Sequence, residues 1–118
     1  MTTVVNVKVV NIRPRYQNLR EWMDDDANVY VGRPGVVFID KVRFPKSANS
    51  IWANPFKIGR DGDRDQVLFK FREYIINKLE NDELLRNELK TLKGKTLGCW
   101  CHPEKCHGDI IAELADRA

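Results

Sequence analysis

The three cysteines of the chain lie within eight residues, Cys99 to Cys106, and histidines follow the second and third of them at His102 and His107. A disulfide framework joins distant segments, and an odd number of thiols packed this closely does not suit one. The spacing points instead to local chemistry, and three readings fit it. Cys99, Cys101, Cys106 and His107 supply the donor types that zinc takes, and three thiolates would hold an iron–sulfur cluster with one open iron position. A Cys-x-Cys on an extended strand holds its sulfurs wide apart, however, and familiar zinc sites use Cys-x2-Cys turns. The second reading is metal-free. Cys106 would be the nucleophile, His107 the base and Asp109 an orienting partner or cap, at a helix start whose unpaired N–H groups favour a thiolate. The third is packing alone, because free cysteine is a common small core residue.

Two remote stretches could complete a pocket with this loop. Gly32-Arg33-Pro34 ends a strand and sets a guanidinium there, a geometry suited to anions. In Trp52-Ala53-Asn54-Pro55-Phe56, the proline holds Asn54 extended. That amide can read the edge of a ring while Trp52 supports its face; alternatively, Trp52 and Phe56 anchor the loop and Asn54 caps a turn. Lys57, Arg60 and Arg64 flank two glycines before a helix and suit phosphate, although Asp61, Asp63 and Asp65 oppose an anion there.

These residues need elements to position them. Val4 to Val10 alternates like a half-buried strand, Gln17 to Met23 reads as one or two helical turns, and Asn28 to Val31 as a short strand. Val36–Ile39 and Val42–Phe44 predict a hairpin turning at Asp40-Lys41, and a loop from Ser47 to Gly62 follows. Asp63 and Gln66 form a capping-box pattern before a helix burying Val67, Phe71, Tyr74 and Ile75, with Leu68 and Leu79 widening the stripe. A short helix from about Asp82 would bury Leu84, Leu85 and Leu89. Thr96 to Cys101 then reads as a strand, and a last helix opens at Gly108-Asp109. On a strand to residue 101, Cys99 and Cys101 would share one face and Trp100 would take the other. The expected fold is α/β: a small Rossmann-like sandwich with a mixed sheet, an inserted β-hairpin and a C-terminal strand–loop–helix.

Length and charge narrow the classes. The 118 residues suit a single domain over 1–118. Twenty Lys and Arg against 17 Asp and Glu leave a net +3. With Asp24-Asp25-Asp26 breaking any basic field, this is no nucleic-acid signal, but it would suit a small anionic or nucleotide-like ligand. No apolar run approaches a membrane span and no signal peptide is legible, so no membrane partner and a cytoplasmic location are expected.

Val29-Tyr30-Val31-Gly32-Arg33, the stretch Trp52 to Gly59, and Leu97 to Cys101 with Cys106-His107-Gly108-Asp109 together resemble the family called domain of unknown function 4326. Its members occur in bacteria, their viruses and large DNA viruses. In many of them the Gly-Arg strand runs directly to the Asn-Pro-Phe loop, which makes the hairpin at 36–44 an elaboration. The resemblance implies a site rather than an activity. The expectation is a binding domain for an anionic or nucleotide-like molecule, with Arg33, Trp52, Asn54, Lys57 and Gly108 on the ligand, the last through its backbone N–H. An enzyme using Cys106 and His107, a zinc- or iron–sulfur-stabilised interaction module displaying Trp52, and a viral protein sequestering a nucleotide without turnover remain alternatives.

Overall fold

The computed structural model describes residues 1–45 and 51–118, so the start of the loop expected from Ser47 lies outside the described residues. Three short strands form a parallel sheet: β1 (Thr3–Asn6), β2 (Asn28–Tyr30) and, between them, β5 (Thr96–Cys99). Asn6 pairs with Cys99 on one side of β5, and Tyr30 pairs with Gly98 on the other. The expected hairpin, β3 (Val37–Ile39) with β4 (Val42–Phe44), forms an antiparallel ribbon of its own. The α/β class therefore holds, with parallel and antiparallel pairing divided between two sheets. Asp40 and Lys41 both take positive φ, 52° and 66°, as a two-residue hairpin turn requires.

The period-2 pattern divides the core. Val29, Val31, Leu97 and Cys99 face a cluster with α3 (Arg64–Asn81), α4 (Glu83–Leu92) and α5 (His107–Arg117). Val5, Val7, Tyr30 and Trp100 face the other way, onto α1 (Val9–Ile12) and α2 (Leu19–Asp24) through Ile12, Leu19 and Trp22. The helix at 64–81 opens on the anticipated Asp63–Gln66 capping box.

Two strand ends and one buried face differ from expectation. β1 stops at Asn6 although the β-branched run continues to Val10. The Asn6 carboxamide oxygen accepts the Lys8 N–H at 3.0 Å, an Asx turn that bends the chain into α1 and leaves Val9 and Val10 exposed. In α4 the buried residues are Leu85, Leu89 and Leu92, while Leu84 is 77% exposed, because a helical stripe runs i, i+4, i+7 and Leu84 falls beside it. β5 ends at Cys99 rather than Cys101. Asn6 Nδ2 donates to the carbonyls of both Trp100 (3.1 Å) and His102 (2.9 Å), turning the chain away from the ladder.

Candidate functional site

A cavity of about 440 Å3 lies where the end of β2, the Asn-Pro-Phe loop and the start of α5 meet. Its wall includes Arg33, Asn54, Phe56 and Lys57 from the first two segments. Arg64, Trp100, Lys105, Cys106 and His107 come from the second half of the chain, with Cys99 and Cys101 beside them. A larger hollow of about 860 Å3 beside α1 contains neither a cysteine nor Arg33.

The Gly-Arg turn is built by a close approach. A Cβ at position 32 would overlap the Tyr30 phenol, and its absence lets the Tyr30 hydroxyl fold over the turn. That hydroxyl donates to the Arg33 carbonyl at 2.7 Å and accepts the Trp100 indole N–H at 2.7 Å, tying β2 to the cysteine loop. Burial raises the Tyr30 phenol above its ordinary value, so it stays protonated and able to donate.

Arg33 is less free than its sequence position suggests. Its Nη2 donates to the carbonyls of Phe56 (3.0 Å) and Asn54 (3.3 Å), and Nε approaches Asn54 O at 3.4 Å. One side of the fork thus staples the two loops together, while Nη1 has no partner among the described residues. Asn54 Oδ1 accepts the Phe56 N–H at 2.9 Å, so the amide oxygen caps a turn, the blander of its two expected roles, and Nδ2 makes no hydrogen bond among the described residues. Trp52 is 4% exposed and belongs to the core among α3–α5, so it anchors the loop. It can neither support a ligand ring nor display a protein-binding surface, and Phe56 and Trp100 are the aromatics on the cavity. Arg60 turns away and pairs with Asp61. Gly108 is buried behind Cys106 and does not line the cavity.

Cys106 is the N-cap of α5 and His107 its first residue, one position earlier than expected. The Asp109 carboxylate accepts the Cys106 N–H at 3.1 Å, so it caps the helix and does not orient the imidazole. His107 Nε2 lies 2.6 Å from the Val31 carbonyl. A carbonyl only accepts, so Nε2 carries the proton and Nδ1 is the lone-pair nitrogen. Burial, with the Phe71 ring edge-on at 5.1 Å, holds the imidazole below its ordinary pKa and neutral.

The two sulfurs at the cavity floor touch. Cys106 Sγ donates to Cys99 Sγ at 3.2 Å, and the residues are 3% and 1% exposed. That bond, with the backbone N–H groups of Cys101 and His102 facing the Cys99 sulfur, lowers the Cys99 thiol to about 6 despite burial. Cys106 is pushed the opposite way by donating to Cys99 and by burial. The lower thiol pKa of the pair thus falls on Cys99, unlike the expectation of a thiolate at Cys106, because two converging N–H groups and an S–H face the Cys99 sulfur while a carboxylate stands at the third position of the helix that Cys106 caps. Among the described residues no three His, Cys, Asp or Glu side chains converge to hold a metal ion, so the expected set Cys99, Cys101, Cys106 and His107 is not gathered around one point.

The electrostatics of the cavity differ from those of the whole chain. Arg33, Lys57, Arg64 and Lys105 line it, and among the described residues no Asp or Glu does. Glu104 approaches Arg64 only from outside, at 3.8 Å, while the Arg64 guanidinium donates to the Lys105 carbonyl at 2.8 Å. Two contributors were not legible as site residues: Lys105, whose sequence signal is only its place before Cys106, and Asn6, whose amide shapes the loop from a strand 94 residues away. Among the described residues, no helix is long and apolar enough to cross a membrane.

The family described as domain of unknown function 4326 matches residues 15–117. The chain is 36% identical over 69 residues to an uncharacterized 12.4 kDa protein in the nrdA-td intergenic region of Enterobacteria phage T4, covering 58% of this chain and 62% of that one. It is 35% identical over 74 residues to an uncharacterized protein of Acanthamoeba polyphaga mimivirus, covering 56% and 53%. The chain thus spans little more than half the length of these viral relatives. No solved structure matches it.

Proposed function

The chain belongs to the family described as domain of unknown function 4326, and from that premise we propose that it binds a small anionic, nucleotide-like molecule in the cavity between Arg33, Asn54 and the start of α5. The observation that carries this reading is the charge of the wall: four cations and no carboxylate among the described residues, on a protein whose overall excess is only +3. Such a concave, one-signed surface concentrates field and favours an anion. The volume, about 440 Å3, lies in the range of small-molecule sites, and Phe56 and Trp100 are among the residues that line it. Asn54 Nδ2 and Arg33 Nη1 make no hydrogen bond among the described residues, and His107 Nδ1 is an acceptor.

Binding without turnover is the form favoured here, because both sulfurs are nearly closed to a molecule of nucleotide size. A location in the cytoplasm suits three cysteines held as thiols. Calorimetric titration with nucleoside mono- and diphosphates and with inorganic phosphate tests the reading. At least one nucleotide should bind saturably, and Lys57→Ala, which removes a cation with no ion-pair partner among the described residues, should weaken it roughly 5- to 30-fold, as the loss of about 1–2 kcal/mol from one charged contact. Absence of binding across that panel at millimolar concentration, or a Lys57→Ala variant with unchanged affinity, refutes it.

A further inference from the structure

The contact between Cys99 and Cys106 has no role in holding an anion. Packing alone would not require it, since two small apolar residues could fill the same space without their sulfurs meeting. Cys99 ends the central strand of the sheet, and Cys106 caps α5 across a six-residue loop. Their sulfurs are 3.2 Å apart, while a disulfide needs about 2.05 Å, so an approach of about 1.2 Å would join them. Both line the cavity. The Cys101 thiol, half-buried on the same loop, makes no hydrogen bond to either sulfur among the described residues.

We infer that Cys99 and Cys106 are a redox-active dithiol, a modification site that hydroperoxides convert to an intramolecular disulfide at the floor of the cavity. The Cys99 thiolate attacks one oxygen of the hydroperoxide. The O–O bond breaks, and the leaving alkoxide or hydroxide takes up the proton that the thiol had released. The resulting Cys99 sulfenic acid is attacked by the Cys106 sulfur. The S–S bond forms, the S–O bond breaks, and hydroxide leaves with the Cys106 proton as water. Two thiols are oxidised by two electrons, and one hydroperoxide is reduced to an alcohol (or water) and water. The two backbone N–H groups and the Cys106 S–H that face the Cys99 sulfur make it the attacking atom, and Cys106 the resolving one. This does not depend on the ligand reading.

The test uses the full reduced chain, hydrogen peroxide at stoichiometric level, alkylation under denaturing conditions and tryptic mass spectrometry. Cleavage after Lys105 separates Cys99 and Cys101 from Cys106. The expected product is a linked pair of peptides, 2 Da lighter than the two thiols, with Cys101 alkylated and the link reversed by dithiothreitol. In Cys106→Ser the oxidation should stop at a Cys99 sulfenic acid captured by dimedone. A link through Cys101, an intermolecular dimer, irreversible oxidation of one cysteine alone, or three thiols still alkylated would each overturn the assignment. The wild-type measurement stands even if the serine variant does not fold.

Discussion

Gly32→Ala tests how the Gly-Arg turn is made. The new Cβ would occupy the space of the Tyr30 hydroxyl, so the phenol must swing out. Two hydrogen bonds of 2.7 Å then go, from Trp100 Nε1 and to the Arg33 carbonyl. Each contributes about 1 kcal/mol net, and the Trp100 indole N–H left unpaired adds about 1–3 kcal/mol, partly relieved by water because that ring is half-buried. The expected loss is about 2–4 kcal/mol. With an unfolding entropy of about 2.1 cal/mol/K per residue, this lowers the melting temperature of a chain of this length by about 8–16 °C. Urea denaturation followed by tryptophan fluorescence should show a lower midpoint at unchanged slope. Because the clash is with the Tyr30 side chain itself, adding Tyr30→Phe should cost less in the Gly32→Ala background than in wild type. A Gly32→Ala protein within about 0.5 kcal/mol of wild type would mean that the turn does not depend on this close approach.

Two further outcomes follow from the same geometry. Asn6→Ala removes the amide that holds the Trp100 and His102 carbonyls and caps the turn at Lys8, so it should cost about 1.5–3 kcal/mol and raise alkylation of Cys99 by iodoacetamide, measured side by side with wild type. The neutral, half-buried His107 has a folded pKa below its unfolded value of about 6.5, so the unfolded chain binds the extra proton. Its contribution is intact above that value and is lost as pH falls through the folded pKa; denaturation midpoints between about pH 7 and pH 5 should decline, and His107→Phe should flatten the decline.

Much of the frame was written locally. The Asp63–Gln66 cap, the stripe Val67, Phe71, Ile75, Leu79 and the turn at Asp40-Lys41 depend on residues within a few positions of one another, and hydrogen-bond chemistry and periodicity over that distance are readable from order alone. The residue types at the site were equally legible, because Arg33 follows a strand, Asn54 precedes a proline in a loop, and Cys106 and His107 stand at a helix start. Their partners were not. Whether Arg33 faces a ligand or the Asn54 and Phe56 carbonyls, whether Trp52 lies on the cavity or beneath it, and which sulfur Cys99 meets are all decided by pairings across the fold. The strand that ends at Asn6 shows the same division. Its side-chain alternation is local, but the carbonyls that its amide captures arrive from residues 100 and 102, brought there only once β1 and β5 lie side by side.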